Sequence, residues 1–308
     1  MSLSDWLSRL ERLHFKAIDM GLERIRAVAV ALGLFTNPPF VFTVAGTNGK
    51  GSTVAILDQL LRRGGYRTGC YTSPHLVHFN ERVCINGQCC NDAELIAAFE
   101  AVEAARSGIS LTYFEFTTLA AIWLFQRRDL DAWVLEVGLG GRLDAVNLWD
   151  PDVAVVTSIA LDHQAWLGDT RSAIGLEKIG IGRGGRPLVL GEPDVPEAVH
   201  EHRRQLLVID LADRLEKDAV PRPPPLLRRL LSLRGGGLCV SQMVIRLHSI
   251  ILPKLRLRGN AVVQPRSSGE RPNRHAERMS RRWRGDRAVK ICVAHWLVPC
   301  RAWPWPWR

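Results

Sequence analysis

Gly46-Thr47-Asn48-Gly49-Lys50-Gly51-Ser52 combines the residue types that can hold a phosphate chain. Glycines let backbone N–H groups turn toward an anion, and a following helix N-terminus adds favourable potential. Lys50 would neutralise β- and γ-phosphates, and Ser52 would offer a hydroxyl toward Mg²⁺. The general G-x-x-x-x-G-K-[ST] spacing is not met, because Val44 stands where its first Gly belongs and Gly51 follows the lysine. A Gly-rich turn of purely structural purpose is the plain alternative. Further on, Glu136 closes an apolar run and precedes a glycine-rich stretch. Strand ends at the carboxyl edge of a parallel sheet are where α/β proteins bind ligands, and a carboxylate there suits Mg²⁺. A loop-capping carboxylate is the competing reading. His163 also follows an apolar run, and taken alone it reads as a structural histidine. Lys178, taken alone, reads as a solvated helix lysine.

The elements that must position these residues are legible in outline. Residues 41–45 form a short continuous apolar run, as a buried parallel strand requires. After the loop, Val54, Leu57, Leu60 and Leu61 share one helical face. Near the start, Ser4 can cap a helix bearing Trp6, Leu10 and Leu13, and Leu22, Ile25, Ala29 and Leu32 form a second stripe. Residues 66–72, 132–137, 153–157 and 188–190 read as further strands. Residues 82–90 read as a hairpin about Asn86-Gly87. Asn91 with Glu94 can cap a helix, and residues 114–125 are apolar nearly all round, as in a buried helix. Strands alternating with helices predict an α/β domain with a mostly parallel sheet flanked by helices over residues 1–202.

The net charge of +10 divides unevenly. Residues 203–308 hold 23 Lys+Arg against 7 Asp+Glu, whereas residues 1–202 hold 18 against 24. The basic segment also carries Pro221-Arg222-Pro223-Pro224-Pro225, Gly235-Gly236-Gly237 and Trp303-Pro304-Trp305-Pro306-Trp307-Arg308. No helical or strand period is sustained over its last fifty residues, so 203–308 reads as irregular or disordered. Arg-rich tails with aromatics can bind nucleic acid. A disordered extension and the product of a shifted reading frame compete with that, and the Arg/Pro/Gly/Trp excess puts the shifted frame first. No apolar run approaches the roughly 18 residues of a membrane span, and the N-terminus lacks the basic and apolar regions of a secretory signal. Seven cysteines without C-x-x-C spacing read as reduced thiols of a cytoplasmic protein.

Thr43-Val44-Ala45 leading into Gly46–Lys50 resembles the variant phosphate loop of the Mur-ligase superfamily. Tyr71-Thr72-Ser73-Pro74-His75-Leu76, Asn80-Glu81-Arg82-Val83, Leu135 through Ala145 and Ser158-Ile159-Ala160-Leu161-Asp162-His163 narrow the resemblance to its folate branch, folylpolyglutamate synthase/dihydrofolate synthase. Ile18 through Arg24 fits as well, and the likeness covers roughly residues 4–200 in order and spacing. It implies a Mur-ligase-type ATP-binding domain. Thr47, Asn48, Gly49 and Lys50 would hold ATP; Ser73, Glu136 and His163 would ligate Mg²⁺. Lys50, His163 and Lys178 would serve catalysis. The family's lysine at the Lys178 position is carbamylated, which would let it help hold a second Mg²⁺; Ile179 and Gly182 depart from the pattern around it. Pterin-side contacts fall on Arg12, Leu13, His14, Phe15, Thr112, Leu143, Asp144 and Ala145, with core packing an alternative for Leu13, Phe15 and Leu143.

The activity so implied is ATP-dependent amide formation: L-glutamate joined to dihydropteroate or to a folate through an acyl phosphate. The implied protein is a monomer acting on small molecules, neither on a membrane nor on nucleic acid. The family's C-terminal domain, which closes over ATP, finds no counterpart in 203–308, so the expectation is a chain that keeps nucleotide affinity with little ligase activity. Two other readings are a Mur ligase of peptidoglycan synthesis and an inactive ATP-binding remnant whose basic tail binds nucleic acid.

Overall fold

The computed structural model describes residues 1–202 and 206–210. Helices α1 (Leu3–Leu10) and α2 (Glu23–Ala31) open the chain, followed by strand β1 (Phe40–Ala45) and helix α3 (Lys50–Arg63). Strands β2 (Thr68–Tyr71), β3 (Val83–Ile85) and β4 (Gln88–Cys89) precede helices α4 (Asp92–Arg106) and α5 (Tyr113–Gln126). Then come β5 (Ala132–Glu136), β6 (Val153–Val156), α6 (Gln164–Leu167), α7 (Arg171–Ile179), β7 (Pro187–Leu190), α8 (Glu197–His202) and β8 (Leu207–Asp210). All eight strands join one sheet in the order β4-β3-β2-β5-β1-β6-β7-β8. Pairing is parallel except between β2 and β3 and between β3 and β4. The predicted α/β class and mostly parallel sheet are thus what the chain forms.

The strand period of two divides the core. Val41 and Ala45 of β1, Trp133 and Leu135 of β5, and Ala154 and Val156 of β6 face a large cluster with Trp6, Ile25, Phe99 and Phe116. Phe40, Phe42 and Val44, with Val134, Val153 and Val155, face α3 through Val54, Leu57 and Leu61. Each fully buried Leu, Val or Phe contributes about 1.5–3 kcal/mol relative to exposure. Strands β1 and β6 lie side by side, yet α3 leaves β1 for one face while α7, through Ile174 and Ile179, packs on the other. Neighbouring parallel strands whose connections part in this way open a crevice at their carboxyl ends.

Local chemistry sets the element ends. The Asn91–Glu94 capping box forms as expected, and a second one, Thr112–Glu115, starts α5. At the N-terminus Ser2, not Ser4, caps α1 by a box with Asp5, and Leu13 lies past the helix end. Asn86 and Gly87 both take positive φ, as the two-residue hairpin turn demands. Strand β8 extends the sheet beyond residue 202 and pairs with β7 from Pro187↔Leu207 to Leu190↔Asp210. The Arg/Pro/Trp-rich character read from 203–308 otherwise lies outside the described residues. Among the described residues, no helix is long and apolar enough to cross a membrane.

Candidate nucleotide and metal site

The phosphate-loop candidate runs from the end of β1 to the first turn of α3. Gly49, in left-handed conformation, is the N-cap of α3, and Gly46 takes φ +147°. A Cβ on Gly46 would stand 1.8 Å from Thr157 Oγ1, so the loop backbone rests directly on the end of β6. That neighbour also fixes the loop's shape. Thr47 N–H donates to the Ser158 carbonyl at 2.9 Å, and Asn48 N–H donates to Ser158 Oγ at 3.0 Å. Thr157 Oγ1 returns a bond to the Asn48 carbonyl at 2.7 Å, and Thr47 Oγ1 both accepts from Ala160 N and donates to the Ala160 carbonyl. The amides of Thr47 and Asn48 are therefore engaged in bracing, and the helix-start amides at 50–52 are the donors a phosphate would meet. Lys50 Nζ curls back to the carbonyls of Gly46 at 2.9 Å and Thr47 at 3.3 Å. Ser52 is exposed on the first turn.

Glu136 ends β5 in register with Val44 of β1, on the face that carries α3. Its carboxylate accepts from Ser73 N–H at 3.3 Å and lies against Gly51, where a Cβ would stand 3.5 Å from one oxygen. Burial raises its pKa, opposed by the Ser73 amide and the Lys50 charge. Ser73 follows β2, and the Ser73–Pro74 peptide is cis. The segment after it is held by Glu81, whose carboxylate takes the amides of Leu76, Val77 and His78 at 2.7, 3.0 and 2.8 Å. Those bonds hold Glu81 below the usual carboxylate range. Arg82 donates to His75 Nδ1 and stacks over the rings of Phe79 and Tyr113. The structure thus brings Ser73, Glu136 and Lys50 together. His163, half-exposed in a left-handed turn before α6, has its Nε2 3.6 Å from Asp162 Oδ2. Among the described residues, no group of three His, Cys, Asp or Glu side chains is poised to hold a metal ion.

Lys178 is almost fully buried near the end of α7 rather than solvated. Burial lowers its amine to about 8, helped by Lys50 and opposed by Asp162. The glycine-rich segment after β5 lies on this helix: a Cβ on Gly141 would meet the carbonyls of Glu177 and Lys178, and Arg142 bonds Glu177 at 2.8 Å. Asp144, fully buried, turns inward to accept from Leu139 N–H at 2.9 Å and Val146 N–H at 3.0 Å. Burial pushes its carboxyl up to about 7. Ala145 is buried beside it and Leu143 half-buried.

The segment 12–15 turns its middle two residues inward and its outer two toward solvent. His14 is buried, with Nδ1 2.7 Å from Ser110 Oγ, while Arg12 is exposed and Phe15 is 82% exposed. Leu13 packs against the core, and Ser110 Oγ donates to its carbonyl. Thr112, two residues on, caps α5. Met20, Phe114 and Leu167 surround the glycine-rich segment, since Cβ atoms on Gly138 and Gly140 would meet them. Thr157 and Ser158 escaped sequence reading as loop braces. Their signal was the run of hydroxyl residues at the end of a buried strand, which names its spatial neighbour only once strand order is known.

The chain matches no protein-family model. It is 48% identical over 276 residues to the dihydrofolate synthase/folylpolyglutamate synthase of Escherichia coli, a match covering 82% of this chain and 65% of that protein. Over this span the chain is homologous to the dihydrofolate synthase/folylpolyglutamate synthase family. The Haemophilus influenzae member is 50% identical over 204 residues, 66% of this chain and 46% of its own. The chain therefore spans about half to two thirds of the length of these relatives. In three dimensions it matches E. coli FolC in complex with DHPP and ADP at 52% identity and a TM-score of 0.67, over 68% of this chain and 51% of that one. A bifunctional folylpolyglutamate synthase/dihydrofolate synthase solved with Mn, AMPPNP and L-glutamate matches at 51% identity and a TM-score of 0.64, over 68% and 51% of the two chains.

Proposed function

We infer that this chain is an ATP-dependent carbon–nitrogen ligase that adds L-glutamate to dihydropteroate and to folates, acting in the cytoplasm as a monomer on small molecules. The observation that carries this reading is the braced loop at 46–50 beside the Ser73–Glu136 pair, in a chain about half identical to the folate enzymes named above. Those relatives are folate enzymes by name, which favours this reading over a ligase of peptidoglycan synthesis. ATP and a divalent metal fit the residues present. A carboxylate buried to 4% exposure, with its pKa raised by that burial, gains from a cation the charge balance that its surroundings withhold. Ser73, Glu136 and His163 would hold Mg²⁺, which when bound supplies Lewis-acid polarisation of phosphoryl oxygens.

The chain's own residues then act by alignment and charge. The helix-start amides receive the β- and γ-phosphates, with Gly49 giving the turn, Ser52 its hydroxyl, and Thr47 and Asn48 the loop's shape. Lys50 leaves the Gly46 and Thr47 carbonyls to neutralise the γ-phosphoryl as the substrate carboxylate attacks it and ADP departs. The amine of L-glutamate attacks the resulting acyl phosphate, losing a proton as inorganic phosphate leaves. Arg12, Leu13, His14, Phe15, Thr112, Leu143 and Ala145 line the pterin side, with Asp144 shaping that loop from within. Lys178, whose amine burial lowers to about 8, would form an N–C bond to CO₂ and release a proton to solvent, and the resulting carbamate would help hold a second Mg²⁺. Carbon-13 bicarbonate should give a carbamate carbon signal that Lys178→Met abolishes, and an unlabelled native chain would refute that modification. The decisive assay is ADP release: the turnover, expected to be slow, should require dihydropteroate and L-glutamate together. ATP hydrolysis indifferent to both would overturn the ligase reading.

A further inference from the structure

The chemistry above uses none of the cysteines. Cys84 of β3 and Cys89 of β4 are register partners in the antiparallel hairpin, with Sγ atoms 2.9 Å apart. The Asn86-Gly87 turn decides what kind of pair they are. In a two-residue hairpin the residues flanking the turn, here Ile85 and Gln88, form the hydrogen-bonded pair, so Cys84 and Cys89 form the non-hydrogen-bonded pair. Cys90 N–H donating to the Val83 carbonyl at 2.9 Å keeps the alternation. Non-hydrogen-bonded partners have Cα atoms about 4.5 Å apart, inside the range a disulfide spans without backbone movement. Cys89 is exposed and Cys84 half-buried, so a reagent reaches the first with the second beside it. Cys90, next in sequence, is buried, and burial pushes its thiol up to about 12.

We propose that Cys84 and Cys89 form a dithiol site that a low-molecular-weight disulfide converts to an intrachain disulfide. The Cys89 thiolate attacks one sulfur of the reagent, whose S–S bond breaks; a mixed disulfide forms on Cys89 and one small thiol leaves. Cys84 then loses its proton and attacks Cys89 Sγ, breaking the mixed bond and releasing the second small thiol. The pair is oxidised by two electrons, the reagent is reduced to two thiols, and the two cysteine protons leave on them. Burial raises the Cys84 thiol well above its ordinary value, which makes the second attack the slower one. A small thiol in excess reverses the sequence.

The test exposes the full chain to oxidised glutathione, alkylates the remaining thiols with one reagent, reduces, and alkylates again with a heavier one. Fragment masses should place the heavier label on Cys84 and Cys89 and leave Cys90 with the first. Cys84→Ser should retain glutathione on Cys89, because nothing resolves the mixed disulfide. Should that variant not fold, Cys89→Ser at the exposed position should leave Cys84 and Cys90 carrying only the first label. Glutathione persisting on Cys89 of the unsubstituted chain, or the heavier label on Cys90, would overturn the proposal.

Discussion

A lysine amine held inside a protein either sheds its proton or gains an anion. Lys178 is buried with Lys50 as a nearby cation, and its amine is lowered to about 8. A lowered amine means the unfolded chain binds the proton more tightly between about pH 8 and the ordinary lysine range near 10.4. The destabilisation from burying the charged form is therefore full below pH 8 and fades as pH rises through that window. In carbonate-free buffer, where the amine is unmodified, Lys178→Met should raise thermal stability at pH 7 by on the order of 1–3 kcal/mol, with the gain shrinking toward pH 10; melting curves across that range check it. A gain that does not vary with pH would mean the amine titrates alike in the folded and unfolded chains. Glu136→Gln should leave the fold intact and remove the Mg²⁺ enhancement of nucleotide binding, read by calorimetry with and without the metal. The sequence made the types at 46–52 and Glu136 legible because loop and strand end are each local patterns. It could not tell that Lys178 is buried, since a single lysine on a helix says nothing of which neighbour covers it.

At the scale of the element, the phosphate loop is shaped by a strand it does not belong to. Gly46 combines φ +147° with a Cβ position 1.8 Å from Thr157 Oγ1, so Gly46→Ala meets both backbone strain and a clash. Gly33 separates the two: its φ is +69°, yet nothing stands within 4 Å of its would-be Cβ. Gly33→Ala should lose about 1 kcal/mol of stability with nucleotide affinity kept. Gly46→Ala should lose more stability and weaken nucleotide binding at least about tenfold, near 1.4 kcal/mol. Equal behaviour of the two variants, by melting and calorimetry, would count against the Thr157 contact. The hairpin at Asn86-Gly87 and the cap at Asn91 were readable because each signal lies within a few residues. The cap at Ser2 was missed because Ser4 offers the same side chain, and only Asp5 at the right offset distinguishes them. The four-residue helix α6 and strand β8 are too short to show a period.

For the whole molecule, the strands that feed the site, β1, β5 and β6, are the middle of the sheet, and β4 lies at its antiparallel margin. Opening the middle exposes both core clusters, whereas opening the margin exposes little. Hydrogen exchange should find amides of β1 and β5 slowest, in step with global unfolding, and those of β4 fastest. Comparable rates in β1 and β4 would show that the sheet does not unfold from its edges. The order of strands, unlike their existence, was not in the sequence pattern, because β1 takes β5 and β6 as neighbours across separations of about ninety and more than a hundred residues.

Lys50 already donates to two loop carbonyls, so a nucleotide exchanges hydrogen bonds rather than adding them. The lysine's contribution to the heat of binding is then a difference between two filled states, and small. Its larger effect falls on timing, because the incoming phosphate displaces an amine that is tethered but not deeply locked. Affinity measured at equilibrium would thus understate this side chain, and the association rate would reveal it.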